Sequence, residues 1–293
     1  MVKELVVVSG KGGTGKTSLT ASLAVLASRK FRLSLADCDV EASNLPLLLN
    51  PENEKRREKF SGSRVASIDR EKCVECGLCE ENCRFEAIKD FRVDEFKCEG
   101  CGVCAHVCPV SAVSLKDRLS GFLYLAETRY GPLTYARLNP GESNSGKLVS
   151  LVRFWARKTA EETGAQLVLA DGPPGIGCPA IASITGVNLA LLVAEPTASG
   201  LHDLRRALNL VRHFKGVKPF VAVNMWDINP EVSGEILAFC EREGLTVAGK
   251  IPFDRVVAEA SANRRPVVEF APESRVSREI GRVWRILEEF LGG

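Results

Sequence analysis

Neither sign of charge prevails in this sequence of 293 residues, where 39 lysines and arginines stand against 37 aspartates and glutamates. A dedicated nucleic-acid binder carries a one-sided field, so no nucleic-acid partner is expected. Long apolar runs are missing as well. After Met1 the run at residues 5–8 is too short for the core of a signal peptide, and no stretch of about 18 apolar residues occurs. Neither a membrane span nor stable membrane association is therefore expected, and the protein is assigned to the cytoplasm. Cysteine is scarce outside one segment: Cys38, Cys178 and Cys240 stand alone, while the other eight fall between Cys73 and Cys108. The spacing of those eight is that of metal ligands rather than of a disulfide framework.

With 45% hydrophobic residues the chain can bury a full core and still carry a small second unit. Apolar runs at residues 4–9, 32–36, 166–170, 189–194, 219–223 and 246–251 alternate with helical patterns at 17–28, 147–162, 198–214, 230–243 and 274–290. This alternation predicts an α/β fold with a doubly wound, mostly parallel sheet. Residues 50–60 turn highly charged and read as a solvated face or linker leading into an insert. Just beyond, residues 68–88 and 93–113 superpose cysteine on cysteine at an offset of 25 residues. Residues 128–138 read as a short hairpin that leads to the Gly/Ser/Asn-rich stretch 139–146. The expected organisation is 1–62 and 117–293 for the large domain, with a small α+β insert at 63–116.

Gly10-Lys11-Gly12-Gly13-Thr14-Gly15-Lys16-Thr17 fits G-x-x-x-x-G-K-S/T between a strand and a helix, the context a phosphate-binding loop requires. Its backbone N–H groups wrap phosphates, Lys16 reaches the outer phosphates and the Thr17 hydroxyl ligates Mg²⁺. The extra lysine at Lys11 makes this KGGTGKT loop resemble the deviant Walker A of the MinD/ParA/Mrp family of P-loop ATPases, a resemblance that covers the chain apart from the insert. It implies an ATP-dependent homodimer in which Lys11 reaches the partner subunit's phosphates, as an arginine finger would.

Further expectations follow from the same resemblance. Asp37-Cys38-Asp39 occupies the place of the family's first switch, with Asp39 positioning the attacking water and Asp37 supporting the Mg²⁺ site. An apolar strand ending in Asp171, followed by Gly172-Pro173-Pro174-Gly175, looks like the Walker B carboxylate and second switch, so Asp171 should bind Mg²⁺. Asn224 at a strand end matches the adenine-reading asparagine, whose amide both donates and accepts. Pro252 resembles the loop bordering the base. ATP or ADP with Mg²⁺ is the nucleotide cofactor implied.

Cys73-x₂-Cys76-x₂-Cys79-x₃-Cys83 and Cys98-x₂-Cys101-x₂-Cys104-x₃-Cys108-Pro109 are two copies of the bacterial ferredoxin ligand run, in which the fourth cysteine crosses to the other cluster. Two 4Fe–4S clusters are thus expected, one on Cys73, Cys76, Cys79 and Cys108, the other on Cys98, Cys101, Cys104 and Cys83. Zinc pairs are usually split by longer loops, which disfavours that alternative. Arg84 stands where proline usually follows the fourth cysteine. Gly77, Gly100 and Gly102 suit close approach of backbone to a cluster, and His106 is expected to face solvent.

Cys178 lies seven residues after Asp171, a spacing that resembles the intersubunit cluster ligand of the nitrogenase iron protein; a small buried thiol is the competing reading. The last helical pattern sets Val276, Ile280, Val283, Leu287, Phe290 and Leu291 opposite Arg278, Arg282 and Arg285, a face expected to dock on the sheet. The function expected is a slow ATPase whose dimerisation gates electron transfer to, or assembly of, a metallocofactor on a client protein. A positioning ATPase using the insert as redox sensor or docking module, and a cluster carrier, are the alternatives.

Overall fold

The computed structural model describes residues 2–142 and 146–292. In chain order its elements begin β1 (Lys3–Ser9), α1 (Lys16–Ala27), β2 (Leu33–Asp37), α2 (Leu45–Leu49) and β3 (Glu52–Phe60). There follow β4 (Ser63–Ile68), α3 (Leu78–Glu81), β5 (Ile88–Lys89), β6 (Arg92–Val93), α4 (Val103–His106) and β7 (Val113–Arg118). Then come β8 (Gly121–Thr128), β9 (Gly131–Leu138), α5 (Gly146–Thr163), β10 (Leu167–Pro174), α6 (Cys178–Ile184), β11 (Leu189–Ala194) and α7 (Gly200–Arg212). The chain ends with β12 (Lys218–Asn224), α8 (Pro230–Arg242), β13 (Thr246–Ile251), α9 (Val256–Ala262), α10 (Val267–Phe270) and α11 (Arg275–Gly292). Two units result, one of Met1–Arg57, Leu123–Arg137 and Ser145–Gly293, the other of Glu58–Phe122 and Leu138–Asn144.

The main sheet has the order β13-β12-β11-β1-β10-β2-β9-β8-β3. From β13 to β9 every neighbouring pair is parallel. Parallel strands covered on both faces read as continuous apolar runs, and LALLVA of β11 is buried at all six positions for that reason. Leu5, Leu35, Leu169 and Leu191 are fully buried in one core with Leu19 and Leu23 of α1. The last helix docks as expected, α11 adding Val276, Ile280, Val283, Trp284, Leu287 and Leu291 to that core, although Phe290 of the same face stays exposed. Among the described residues no helix is long and apolar enough to cross a membrane.

Two sequence readings change. Residues 52–60 do form a solvated face, but as the strand β3 at the outer edge of the sheet and not as a linker. An exposed edge strand tolerates charge, and charge there discourages pairing with another chain. Within it Lys55 pairs with Glu127, and the Arg56 guanidinium lies 3.6 Å from the Trp155 ring centre. The hairpin also begins earlier than residues 128–138, since its first strand is β8; Tyr124 and Tyr135 stack across it at 5.0 Å. The stretch 139–146 and the segment Asn144 to Lys147 fall partly on 143–145, outside the described residues.

In the second unit β4 pairs antiparallel with β7, and β5 with β6. The 25-residue repeat persists in the backbone. Glu75 and Gly100 have φ of 53° and 63°, Gly77 and Gly102 have 79° and 82°, and Glu86 and Ser111 have 50° and 51°. L-residues rarely occupy this region, so three matched pairs mean two copies of one local conformation. Helices α3 and α4 stand at the same offset.

Gly131, at φ 138°, turns the hairpin so close to β2 that a β-carbon there would overlap the Leu33 carbonyl oxygen. Gly186, at φ 74°, has open space around it. Gly131→Ala should therefore destabilise the protein by about 2–4 kcal/mol and Gly186→Ala by about 1 kcal/mol, read from urea unfolding curves. Equal losses at the two positions would contradict the close approach.

Candidate nucleotide and cysteine sites

The loop from Gly10 to Thr17 leaves β1 where the chain direction across the sheet reverses, β10 lying on one side of β1 and β11 on the other. In open α/β sheets such a crevice beyond the strand ends is where ligands bind. Gly13 and Gly15 hold φ of 83° and 84°, and the second sits directly before α1. Lys16 is 5% exposed. The Thr14 hydroxyl is buried without a hydrogen-bond partner, an orphaned donor inside the loop that fits an anion. Ser9 Oγ donates to the Lys11 carbonyl at 2.5 Å and ties the loop to its strand.

Parallel pairing of β2 with β10 puts Asp37 directly beside Asp171 at the strand ends. Both are fully buried. Asp171 accepts from Thr17 Oγ1 at 2.6 Å and from Thr20 Oγ1 at 3.0 Å. Asp37 instead accepts from Ser43 Oγ at 2.9 Å and from the N–H groups of Asp39 and Leu45, at 3.1 and 3.2 Å, so it braces the loop after β2. Burial first, and the neighbouring Asp171 second, hold the Asp37 carboxyl well above its ordinary range. Burial also pushes Asp171 up to about 6, against the opposing pull of Thr17 and Lys16. Asp39 is raised by burial and partly restored by Lys16. This uncompensated negative charge beside a hydroxyl suits a divalent cation. Among the described residues no three His, Cys, Asp or Glu side chains converge as a complete metal site, so a Mg²⁺ here would complete its shell with Thr17, phosphate oxygens and water.

Asn224 and Pro252 line one pocket with Gly13, Gly15, Leu19, Met225 and Phe253. The Asn224 amide donates to the Thr14 carbonyl at 2.9 Å, joining this pocket to the phosphate loop. Lys11 points elsewhere. Its ammonium pairs with Glu195 Oε1 at 2.6 Å and donates to Thr197 Oγ1 and Ser199 Oγ, each at 2.9 Å. Sequence reading missed these three residues and the Thr20 hydroxyl, whose partners are remote in sequence, and also the Ser43 hydroxyl, which bonds Asp37 from within the following loop.

In the second unit the cysteines line two separate concavities. Cys73, Cys76, Cys79 and Cys108 surround one, with Ile68, Val74, Phe91 and Val110. Cys83, Cys98, Cys101 and Cys104 surround the other, with Ala66, Phe85 and Leu115. Each set takes three thiols from one repeat and one from the other. Every cysteine is a free thiol. Among the described residues no three of these thiols meet as a site for a single metal ion. Backbone N–H groups of Ala87 and Ala112 donate to Cys83 and Cys108 at 3.4 and 3.2 Å, again 25 residues apart, and Ala66 donates to Cys98 at 3.4 Å. Burial raises the Cys79 and Cys104 thiols. At Cys108 desolvation pulls upward, but N–H groups led by Ala112 outweigh it and bring the thiol below its usual range. His106 is exposed. Cys38 and Cys240 are buried, whereas Cys178 is exposed at the start of α6.

The family model of the CobQ/CobB/MinD/ParA nucleotide binding domain matches residues 5–267. An uncharacterised protein of Methanocaldococcus jannaschii is 33% identical over 99% of this chain and 98% of its own length. An iron–sulfur cluster carrier protein of Aquifex aeolicus is 25% identical over 98% of this chain and 68% of its own length. Among solved structures, the septum site-determining protein MinD of Pyrococcus horikoshii, complexed with Mg-ADP, aligns with a TM-score of 0.61 at 17% identity, covering 100% of this chain and 98% of that one.

The raised Asp171 group has a consequence for stability. A carboxyl whose folded pKa of about 6 exceeds its ordinary 3.8 keeps a proton in the folded state that the unfolded state has released. Metal-free protein should thus gain stability as pH falls from about 7 to about 5, and Asp171→Asn should stabilise it near neutral pH by about 1–3 kcal/mol. The same variant should bind Mg-nucleotide at least about tenfold more weakly. Urea unfolding in the presence of a chelator, set beside nucleotide titration, checks both; a variant less stable than the parent near pH 7 refutes the burial argument.

Proposed function

The chain belongs to the CobQ/CobB/MinD/ParA family of nucleotide-binding domains, and from that premise we propose that it is a slow, partner-stimulated ATPase with two 4Fe–4S clusters, its nucleotide-dependent dimerisation gating electron transfer to, or assembly of, a metallocofactor on a client protein. Gly10 to Thr17 hold the phosphates and Lys16 neutralises charge on the outer ones. Thr17 and Asp171 hold Mg²⁺, with Asp37 bracing the loop that carries Asp39. Asp39, almost buried and within the field of Lys16, orients the attacking water. Asn224 and Pro252 bound the base, and Lys11 completes the phosphate pocket of a second copy. When bound, the clusters supply one-electron chemistry at potentials set by hydrogen bonds to sulfur and by exposure.

One observation supports the iron–sulfur half above all: two cysteine quartets, each composed of three thiols from one repeat and one from the other, ring separate concavities. A zinc site or a disulfide would not need that crossing. The N–H groups that donate to Cys83, Cys98 and Cys108 are the kind of contact that steadies a thiolate-bound cluster. A second reading, a carrier that hands its cluster on, is favoured by likeness to the Aquifex aeolicus carrier over nearly the whole chain. Eight ligands in a closed ferredoxin pattern, with Cys79 and Cys104 buried although Cys76 and Cys101 are exposed, argue for retention instead. A positioning ATPase would show salt-sensitive DNA binding or lipid-stimulated hydrolysis.

Anaerobic reconstitution should yield about eight irons per chain, and Cys108→Ala about four, because the crossed ligand belongs to a single cluster. Retention of all iron in Cys108→Ala, or none in the parent, would sink the cluster assignment. Lys16→Ala should lose ATPase activity by at least about 100-fold while keeping its iron. Under the gating reading, the cluster potentials or the electron-transfer rate differ between ATP- and ADP-loaded protein; identical values, with rapid transfer of iron to an apo-acceptor, would favour the carrier.

A further inference from the structure

Lys11 is fully engaged inside its own subunit. An ammonium has three N–H donors, and here Glu195 Oε1, Thr197 Oγ1 and Ser199 Oγ take all three. These acceptors lie on one short loop between β11 and α7, wound tightly by bonds from Thr197 N–H to the Glu195 carbonyl and from Gly200 N–H to the Thr197 carbonyl, both 2.9 Å. Gly200 permits that winding, since a β-carbon there would overlap the Glu195 carbonyl. Gly10 brings the lysine to the loop: a β-carbon on Gly10 would stand 2.5 Å from Asp203 in the first turn of α7. The phosphate loop and the first turn of α7, which follows this loop directly, thus pack together at the residue next to Lys11. The Glu195 side chain is only 12% exposed, while that of Lys11 is 31% exposed. A pair so placed is screened less than a surface pair and more than a buried one.

We propose that Glu195, with Thr197 and Ser199, is a latch that holds Lys11 in its own subunit and so sets the nucleotide and protein concentration at which two copies close on ATP. This rests on the reading of Lys11 as a residue that acts across a dimer. To reach a second copy's phosphates the lysine gives up all three cis bonds and leaves a mostly buried carboxylate without its cation. ATP supplies the opposing attraction, since its outer phosphates carry more charge than those of ADP. The latch makes the lone chain's resting state stable against closure with ADP, and Glu195 is a positioning residue that acts through Lys11.

Sedimentation of the full, reconstituted chain with Mg²⁺ and a non-hydrolysable ATP analogue tests this. Glu195→Gln keeps the shape and removes the charge; its dimer should form at about tenfold lower protein concentration than the parent's, the effect of removing one charge-assisted contact. Thr197→Val with Ser199→Ala should give a smaller shift in the same direction. ADP affinity of the monomer should stay within about twofold, which separates loss of the latch from loss of the fold. In a Lys11→Ala background Glu195→Gln should give no further gain. The latch is overturned if Glu195→Gln dimerises at the same or higher concentration than the parent, or if its gain persists without Lys11. If the parent dimerises in a Lys11-dependent way and Glu195→Gln changes nothing, the latch alone fails. If neither protein dimerises at any concentration, the shared-pocket reading falls with it.

Discussion

Two carboxyls forced side by side in the core set the terms for the larger unit. Asp37 and Asp171 are neighbours in the register of β2 and β10, both fully buried, and neither can move without breaking the pairing of two central strands. A protein tolerates such a pair only where hydrogen bonds, protonation or a bound cation relieve it. The fold divides the relief. Asp37 spends its oxygens on Ser43, Asp39 and Leu45, and so fixes the loop carrying Asp39, while Asp171 leans on two threonines of α1. The helix that begins at the phosphate loop is therefore bound to one of the two buried carboxyls, and the arrangement gains most when a cation and phosphates arrive together.

The second unit obeys a different constraint, the need to aim thiols from distant points of the chain into shared spaces. Regular helices or strands longer than those present would not turn sharply enough. Three positive-φ positions per repeat supply the turns, at Glu75, Gly77 and Glu86 and at Gly100, Gly102 and Ser111. Two of the six are glutamates and one a serine, so the conformation is imposed by the surroundings and not by glycine alone. At Gly100 glycine is required, because a β-carbon would overlap the Arg64 carbonyl.

Much of this was readable in the chain because the information was local. The phosphate loop and the two cysteine runs are contiguous patterns, and the six apolar runs fall within a few residues of β1, β2, β10, β11, β12 and β13. Strand β3 escaped because its charges obey the logic of an edge and not of a core, and the short helices α9 and α10 escaped because four to seven residues carry too little periodicity. The partners of Lys11 were hidden for a deeper reason. Glu195 lies 184 positions away in sequence, in a loop whose composition signals only a turn, and its proximity is created by β11 lying next to β1.

The other neighbour of β1, the strand β10, bears on how a phosphate could be felt beyond its pocket. The strand that ends in Asp171 continues through Pro174 and stays tied to β1, Ser9 facing Pro174 in register and Gly175 N–H donating to the Ser9 carbonyl at 3.0 Å. A side chain at Gly172 would collide with the Val7 carbonyl oxygen at 2.7 Å, so this stretch has no room to shift sideways. Gly175, at φ 87° and with open space where a β-carbon would stand, is the first place where it can bend, and Cys178 opens α6 three residues later. Under the function proposed for this chain, a change at the outer phosphates would reach α6 through this bend and not through a sideways shift of the strand.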